Sequence, residues 1–175
     1  MLQRIWFAIG LLIMTGCSFS HQVNIQNDFV AEEKVLPKIS STGPVAVVMQ
    51  VQNPSGSIEL CNAAGRTYFS DYEKISKYAL NTTKDILKRN SIEVSDAAGK
   101  KLTIKSLDGT CRPSGLLLSF VMDITVETGN GLTKTYSGYQ RMFHLYERDF
   151  ALSAATLNAV LDMFADDEIQ RYLKE

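Results

Sequence analysis

Cys17, Cys61, Cys111 and His144 are the residues whose type and surroundings point to chemistry, and the kinds of chemistry differ. The Cys17 thiol follows an apolar run closed by Thr15-Gly16, small residues that let an enzyme reach the backbone, so it reads as a site of modification. Cys61 and Cys111 lack the Cys-x-x-Cys spacing of a redox or zinc pair, and a zinc site would draw its remaining ligands from a chain with 2 histidines. A disulfide between them is the expectation, with no metal. His144 lies near Glu147 and Asp149, a grouping able to orient an imidazole for base catalysis or to hold a metal weakly. Its plainer reading is a half-buried histidine at a strand end. The chain contains no GxSxG, P-loop, HExxH or glycine-rich dinucleotide turn. The expectation is therefore a protein with no catalytic residue and no cofactor, not an enzyme.

The segment before Cys17 explains what its thiol is for. Arg4 supplies a positive start, residues 5–14 an apolar stretch, and Ile13-Met14-Thr15-Gly16-Cys17 resembles a lipobox, with Met14 where Leu is usual. As a helix the apolar stretch would rise about 15 Å, half of a hydrocarbon core of about 30 Å, so a retained membrane span is not expected. The resemblance implies cleavage before Cys17, a diacylglycerol on its thiol and an acylated amine. Several chains at about 0.8 kcal/mol per buried methylene exceed what stable anchoring needs. An ordinary secretory signal with an incidental cysteine is the alternative. By the sorting rule of Gram-negative lipoproteins, Ser18 in place of a retention-signalling aspartate implies the outer membrane, facing the periplasm, if the source has two membranes.

The remaining composition narrows the class. The chain has 18 basic and 19 acidic residues, and losing Arg4 with the signal moves the net charge from −1 to about −2, which gives no footprint for nucleic acid. Acylation consumes one of the 3 cysteines and leaves Cys61 and Cys111 in an oxidising compartment. Closing that loop would restrict the unfolded chain by about 4 kcal/mol. The organisation expected is a signal at 1–16, an acylated cysteine and flexible tether at 17–44, and one globular domain at 45–175. A coil of the tether's length spans about 29 Å. Val23, Ile25, Phe29 and Val30 offer an alternative, in which part of the tether docks as an edge strand.

Hydrophobic period then orders the elements. Residues 45–51 are a nearly continuous apolar run, as in a central strand buried on both faces. Ser70 and Glu73 match a capping box before Tyr72, Ile75, Ala79, Thr82 and Ile86, a helical stripe ending near Asn90. Strands at 92–94 and 102–107 follow, the second turning Leu102 and Ile104 inward and Lys101, Thr103 and Lys105 outward. Leu116, Leu118, Phe120, Met122, Ile124 and Val126 alternate with polar residues, the mark of a strand with one wet face. Leu157, Val160, Leu161 and Phe164 form a second stripe after Ser153, and Asp166 restarts a last turn.

Asn130-Gly131 suits a two-residue hairpin turn, which pairs Glu127 with Lys134 and Thr125 with Tyr136. That register places Asp123, Thr125, Glu127, Lys134 and Tyr136 on a wet face offered to a partner, puts Tyr139 on the other side, and makes Gly138 a candidate bulge. The fold class expected is α+β, an antiparallel or mixed sheet of four to six strands with two helices packed on one face.

Leu87-Lys88-Arg89-Asn90-Ser91-Ile92-Glu93-Val94, the alternating hairpin, Leu157-Asn158-Ala159-Val160-Leu161 and Asp167-Glu168-Ile169 together resemble the YajG type of small bacterial lipoproteins over residues 44–175. The layout is also similar to LptE, the lipoprotein partner of the lipopolysaccharide translocon. The resemblance implies an outer-membrane lipoprotein with an envelope protein partner.

Two surface patterns bear on partners. Lys100, Lys101 and Lys105, with Lys84, Lys88 and Arg89, would form a basic face for an anionic glycolipid, or else a solvated helix face and a lysine-guarded edge. Tyr136, Tyr139, Phe143, Tyr146 and Phe150 would form an aromatic platform, or else core and rim. The leading reading is a lipid-anchored, non-enzymatic envelope protein that docks through a sheet face or edge. The second is a periplasmic module holding a small apolar or glycan/lipopolysaccharide-type ligand between sheet and helices. A filled core favours the first and an enclosed cavity the second.

Overall fold

The computed structural model describes residues 19–26, 36–50, 56–63, 65–114, 117–143 and 148–175. Its elements in chain order are β1 (Phe19–Val23), β2 (Val45–Met49), β3 (Ser57–Ala63), β4 (Arg66–Asp71), α1 (Tyr72–Arg89), β5 (Lys100–Ser114), β6 (Leu117–Thr128), β7 (Thr133–Phe143), α2 (Arg148–Ala165) and α3 (Asp167–Lys174). The fold is α+β, as expected, but its strands divide into two sheets. One has the order β1-β4-β3 and the other β2-β5-β6-β7. β1 with β4 and β2 with β5 are parallel pairs; the remaining pairs are antiparallel.

Helix ends follow local chemistry. α1 is capped by Asp71, whose side chain accepts from the Lys74 amide at 3.1 Å. Ser70, the expected cap, is instead buried, its hydroxyl donating to the Val23 carbonyl at 2.6 Å. At the far end the Ile92 amide reaches Leu87 O and the Ser91 amide reaches Lys88 O, a Schellman closure with Ser91 at φ 60° where glycine is usual. That closure uses up residues expected to start a strand. Only an isolated parallel bridge, Val45 to Val94, remains of the strand at 92–94. α2 begins five residues before Ser153, whose hydroxyl donates back to Asp149 O at 2.9 Å. α3 starts at the expected Asp166 cap.

The second sheet has one covered and one open face. Leu102, Ile104 and Leu107 of β5 and Leu118, Phe120, Met122, Ile124 and Val126 of β6 are all at most 2 % exposed, packed beneath α1, α2 and the first sheet. A bulge between Ile104 and Ser106 lets Ile104 and Leu107 both point inward. β2 is an edge strand rather than the central one expected, because α1 buries it without a second strand neighbour.

The two sheets join where β3 crosses β5. A β-carbon on Gly109 would meet Leu60 Cδ2 at 2.6 Å, so this glycine makes room for the crossing chain. Cys61 and Cys111 form the expected disulfide at the same place, 50 residues apart in sequence.

Residues 19–26 and 36–44, read as tether, belong to this body. Val23 is fully buried, and Ile25 and Ile39 nearly so. The Asn24 amide donates to Asp149 Oδ1 at 2.8 Å, the Gln26 amide to Ser153 Oγ at 2.8 Å, and the Thr42 amide to Leu173 O at 3.1 Å. The sequence underestimates this segment because each apolar residue stands alone, and its strand partner, β4, lies more than forty residues away.

Candidate functional site: the open sheet face

The hairpin register decides what the open face carries. Thr128 N–H donates to Leu132 O, Gly131 N–H donates to Thr128 O, and Gly131 sits at φ 91°, so the loop is three residues, Gly129-Asn130-Gly131. Compared with a two-residue turn the pairing slips by one: Glu127 faces Thr133, Thr125 faces Thr135, and Ile124 faces Tyr136. A slip of one residue sends every side chain of the strand to the other face. Tyr136 is therefore buried at 8 %, and Tyr139, expected inside, is 52 % exposed on the open face.

Of the residues expected on a partner surface, Asp123, Thr125 and Glu127 are on the open face and Lys134 and Tyr136 are not. Lys134 pairs with Asp166 at 2.8 Å and also with Glu168, on the side covered by the helices. Burial, opposed by hydrogen bonds from Lys134 and from the Ile169 and Glu168 amides, leaves the Asp166 carboxyl below its ordinary value. Tyr136 is pushed up to about 12, first by burial and then by the charge of Asp166. Its hydroxyl is buried near the Asp166 carboxylate and makes no well-formed hydrogen bond among the described residues.

The open face is stitched by side chains across the strands. Lys105 Nζ lies 2.9 Å from Glu127, the Thr125 and Thr135 hydroxyls 2.9 Å apart, Ser137 Oγ 2.5 Å from Asp123, and Ser119 Oγ 3.1 Å from Tyr139 Oη. Asp108 stands directly opposite Asp123, a like-charge pairing that destabilises a free strand pair. These contacts hold the side chains in a flat array beside the Tyr139 ring. Sequence reasoning missed Thr135, Ser137 and Tyr139 because it placed the odd-numbered residues of β7 on the wrong side.

The other candidates are dispersed. Lys105 lies on the open face, Arg89 pairs with Asp85 on α1, the opposite side of the sheet, and Lys100 and Lys101 meet Tyr172 of α3, so no single basic face forms from them. Tyr136 and Tyr139 occupy opposite faces and make no common platform. Cys17, His144, Tyr146 and Glu147 lie outside the described residues, as does the Phe143 side chain. Asp149 serves as acceptor for the Asn24 amide. Among the described residues no group of three or more His, Cys, Asp or Glu side chains is placed to hold a metal ion, and no helix is long and apolar enough to cross a membrane. A groove of ≈ 690 Å³ opens where the sheets part, over Ile58, Tyr72 and Leu107 with Glu59, Lys105 and Asp108 at its rim. The space between sheet and helices is filled: Leu118, Phe120 and Met122 are 0 % exposed.

Fold and face together define a two-sheet α+β domain with one helix-covered and one open, polar sheet face. No family model matches the chain, and no curated protein matches it. Among solved structures it is similar to the crystal structure of protein XCC0632 from Xanthomonas campestris, of the family DUF330, at 10% sequence identity and a TM-score of 0.45, covering 88% of this chain and 94% of that one.

Proposed function

We propose that this chain is a non-enzymatic envelope lipoprotein of the YajG type, held to the periplasmic side of the outer membrane by acylated Cys17, whose open sheet face docks on another envelope protein. The observation that carries the docking reading is the ladder from Lys105 to Tyr139, four hydrogen-bonded or ion-paired contacts that pre-order a flat polar surface with one large exposed aromatic ring. Pre-ordered side chains lose little further entropy on association, and an exposed tyrosine is a favoured anchor in such contacts. The filled space beneath the sheet supports docking over ligand enclosure. The anchor rests on the lipobox of residues 13–17.

Two measurements test the two halves. Fatty-acid labelling of the natural chain and of Cys17→Ala should give label only in the first; equal label would remove the anchor. A photo-reactive residue at Tyr139 should crosslink one envelope protein in cells, whereas the same residue at Lys88, exposed on α1, should not. Equal yields from both positions would remove the docking face.

A further inference from the structure

Two basic side chains from two elements, His21 and Arg148, lie against one buried aromatic ring beside β1, and a third, Arg66, shares its strand face. In the β1–β4 pair His21 stands opposite Tyr68 and Phe19 opposite Arg66, so strand alternation puts His21, Tyr68 and Arg66 on one face. The His21 ring stacks on Tyr68 with centroids 5.8 Å apart and planes at 22°. Arg148, the first residue of α2, sets its guanidinium carbon 6.0 Å from the same ring centroid. Tyr68 is fully buried, while His21, Arg66 and Arg148 are half-buried.

Among the described residues this group is short of negative charge. Among the described residues none of the three has a carboxylate within ion-pairing distance. Asp149, next in sequence to Arg148, turns an oxygen to the Asn24 amide instead. Among the described residues Arg148 Nη1 is buried with no hydrogen-bond acceptor. A buried donor left unpaired costs on the order of 1–3 kcal/mol, more when charged, unless an anion supplies the acceptor. The crowding registers on His21, whose imidazole is held below its ordinary value by burial, then by Arg148 and Arg66.

We infer that His21, Arg66 and Arg148 bind the phosphate group of an anionic phospholipid headgroup. Two planar guanidinium forks match tetrahedral phosphate oxygens, and the imidazole adds a further donor. The choice of a headgroup rests on the anchoring proposed above: Cys17 is four residues before His21, a reach of at most roughly 14 Å, so an acylated Cys17 keeps this site at the bilayer surface. The site differs from the lysine-rich face that the sequence suggested.

The test uses the chain from Cys17 onward carrying Cys17→Ser, which retains every described residue and cannot be acylated. Its outcome therefore bears on the site, while fatty-acid labelling of the natural chain bears on the anchor. Sedimentation with vesicles should show at least tenfold tighter binding to phosphatidylcholine containing one-third phosphatidylglycerol than to phosphatidylcholine alone. Arg66→Gln with Arg148→Gln should abolish the difference at an unchanged melting temperature, whereas Lys84→Gln with Lys88→Gln, the same change in charge on α1, should preserve it. If the arginine pair fails to fold, Arg148→Lys, which keeps the charge and loses the fork, should still reduce the preference severalfold. Equal binding to both vesicles, or equal loss in the lysine control, would overturn the site. Release of the protein from vesicles by millimolar inorganic phosphate would overturn the headgroup assignment in favour of free phosphate.

Discussion

A β-carbon on Gly138 would stand 1.9 Å from the carbonyl oxygen of Ala155, so β7 and α2 meet backbone to backbone. The helix is lined with small residues there; Ala155 and Ala159 are both 0 % exposed. Gly138→Ala should push α2 off the sheet and cost about 3 kcal/mol or more, the upper end for overpacking a core. Urea unfolding measures it, and an unchanged midpoint would contradict the contact. A β-bulge at Gly138, the sequence expectation, would tolerate the same methyl.

The two tyrosines of β7 should behave oppositely. Tyr136→Ala removes a core ring and should cost about 3 kcal/mol or more. Tyr136→Phe should change stability by no more than about 1 kcal/mol, because the hydroxyl it removes makes no well-formed hydrogen bond among the described residues. Tyr139→Ala should stay within about 0.5 kcal/mol of the parent, as an exposed substitution, and yet weaken recovery of the proposed docking partner. Thermal melting and co-purification read the two effects separately.

Breaking the Cys61–Cys111 bond frees a loop of 50 residues and releases β3 from β5, which share packing but no strand pairing. Cys111→Ser should lower stability by about 2 to 5 kcal/mol, and reduction of the natural protein should do the same. Peptide mapping without reductant gives the direct check: two free thiols in protein from an oxidising compartment would contradict the bond.

Asp166 links acidity to the docking of α3. Its folded-state carboxyl lies below the ordinary value of 3.8, so the unfolded chain binds the proton more readily. The stability it contributes is fully present above that value and is lost as pH falls through the lower folded-state value. Asp166→Asn should flatten this acid limb while keeping the cap. Asp166→Ala should also lose the cap to the Glu168 and Ile169 amides, at a cost of about 1 kcal/mol. Chemical denaturation at neutral pH and below 3.8 separates the variants.

The sequence by itself determined whatever depends on neighbours along the chain. The apolar alternation of β6, the stripes of α1 and α2, the end of α1 near Asn90 and the Asp166 cap were legible because period and capping act within a few residues. The cysteine pairing followed from residue types, spacing and the export expected from the lipobox-like segment. Tertiary structure decided the rest. Gly129-Asn130-Gly131 admits a two- or a three-residue turn; the close seat of Gly138 on Ala155 belongs to the register that turns Tyr136 inward and Tyr139 outward. The pairing of β1 with β4, the division into two sheets and the meeting of His21 and Arg148 on Tyr68 join residues distant in sequence. No local propensity encodes such meetings, because they form only when the chain closes long loops and buries the surfaces between them.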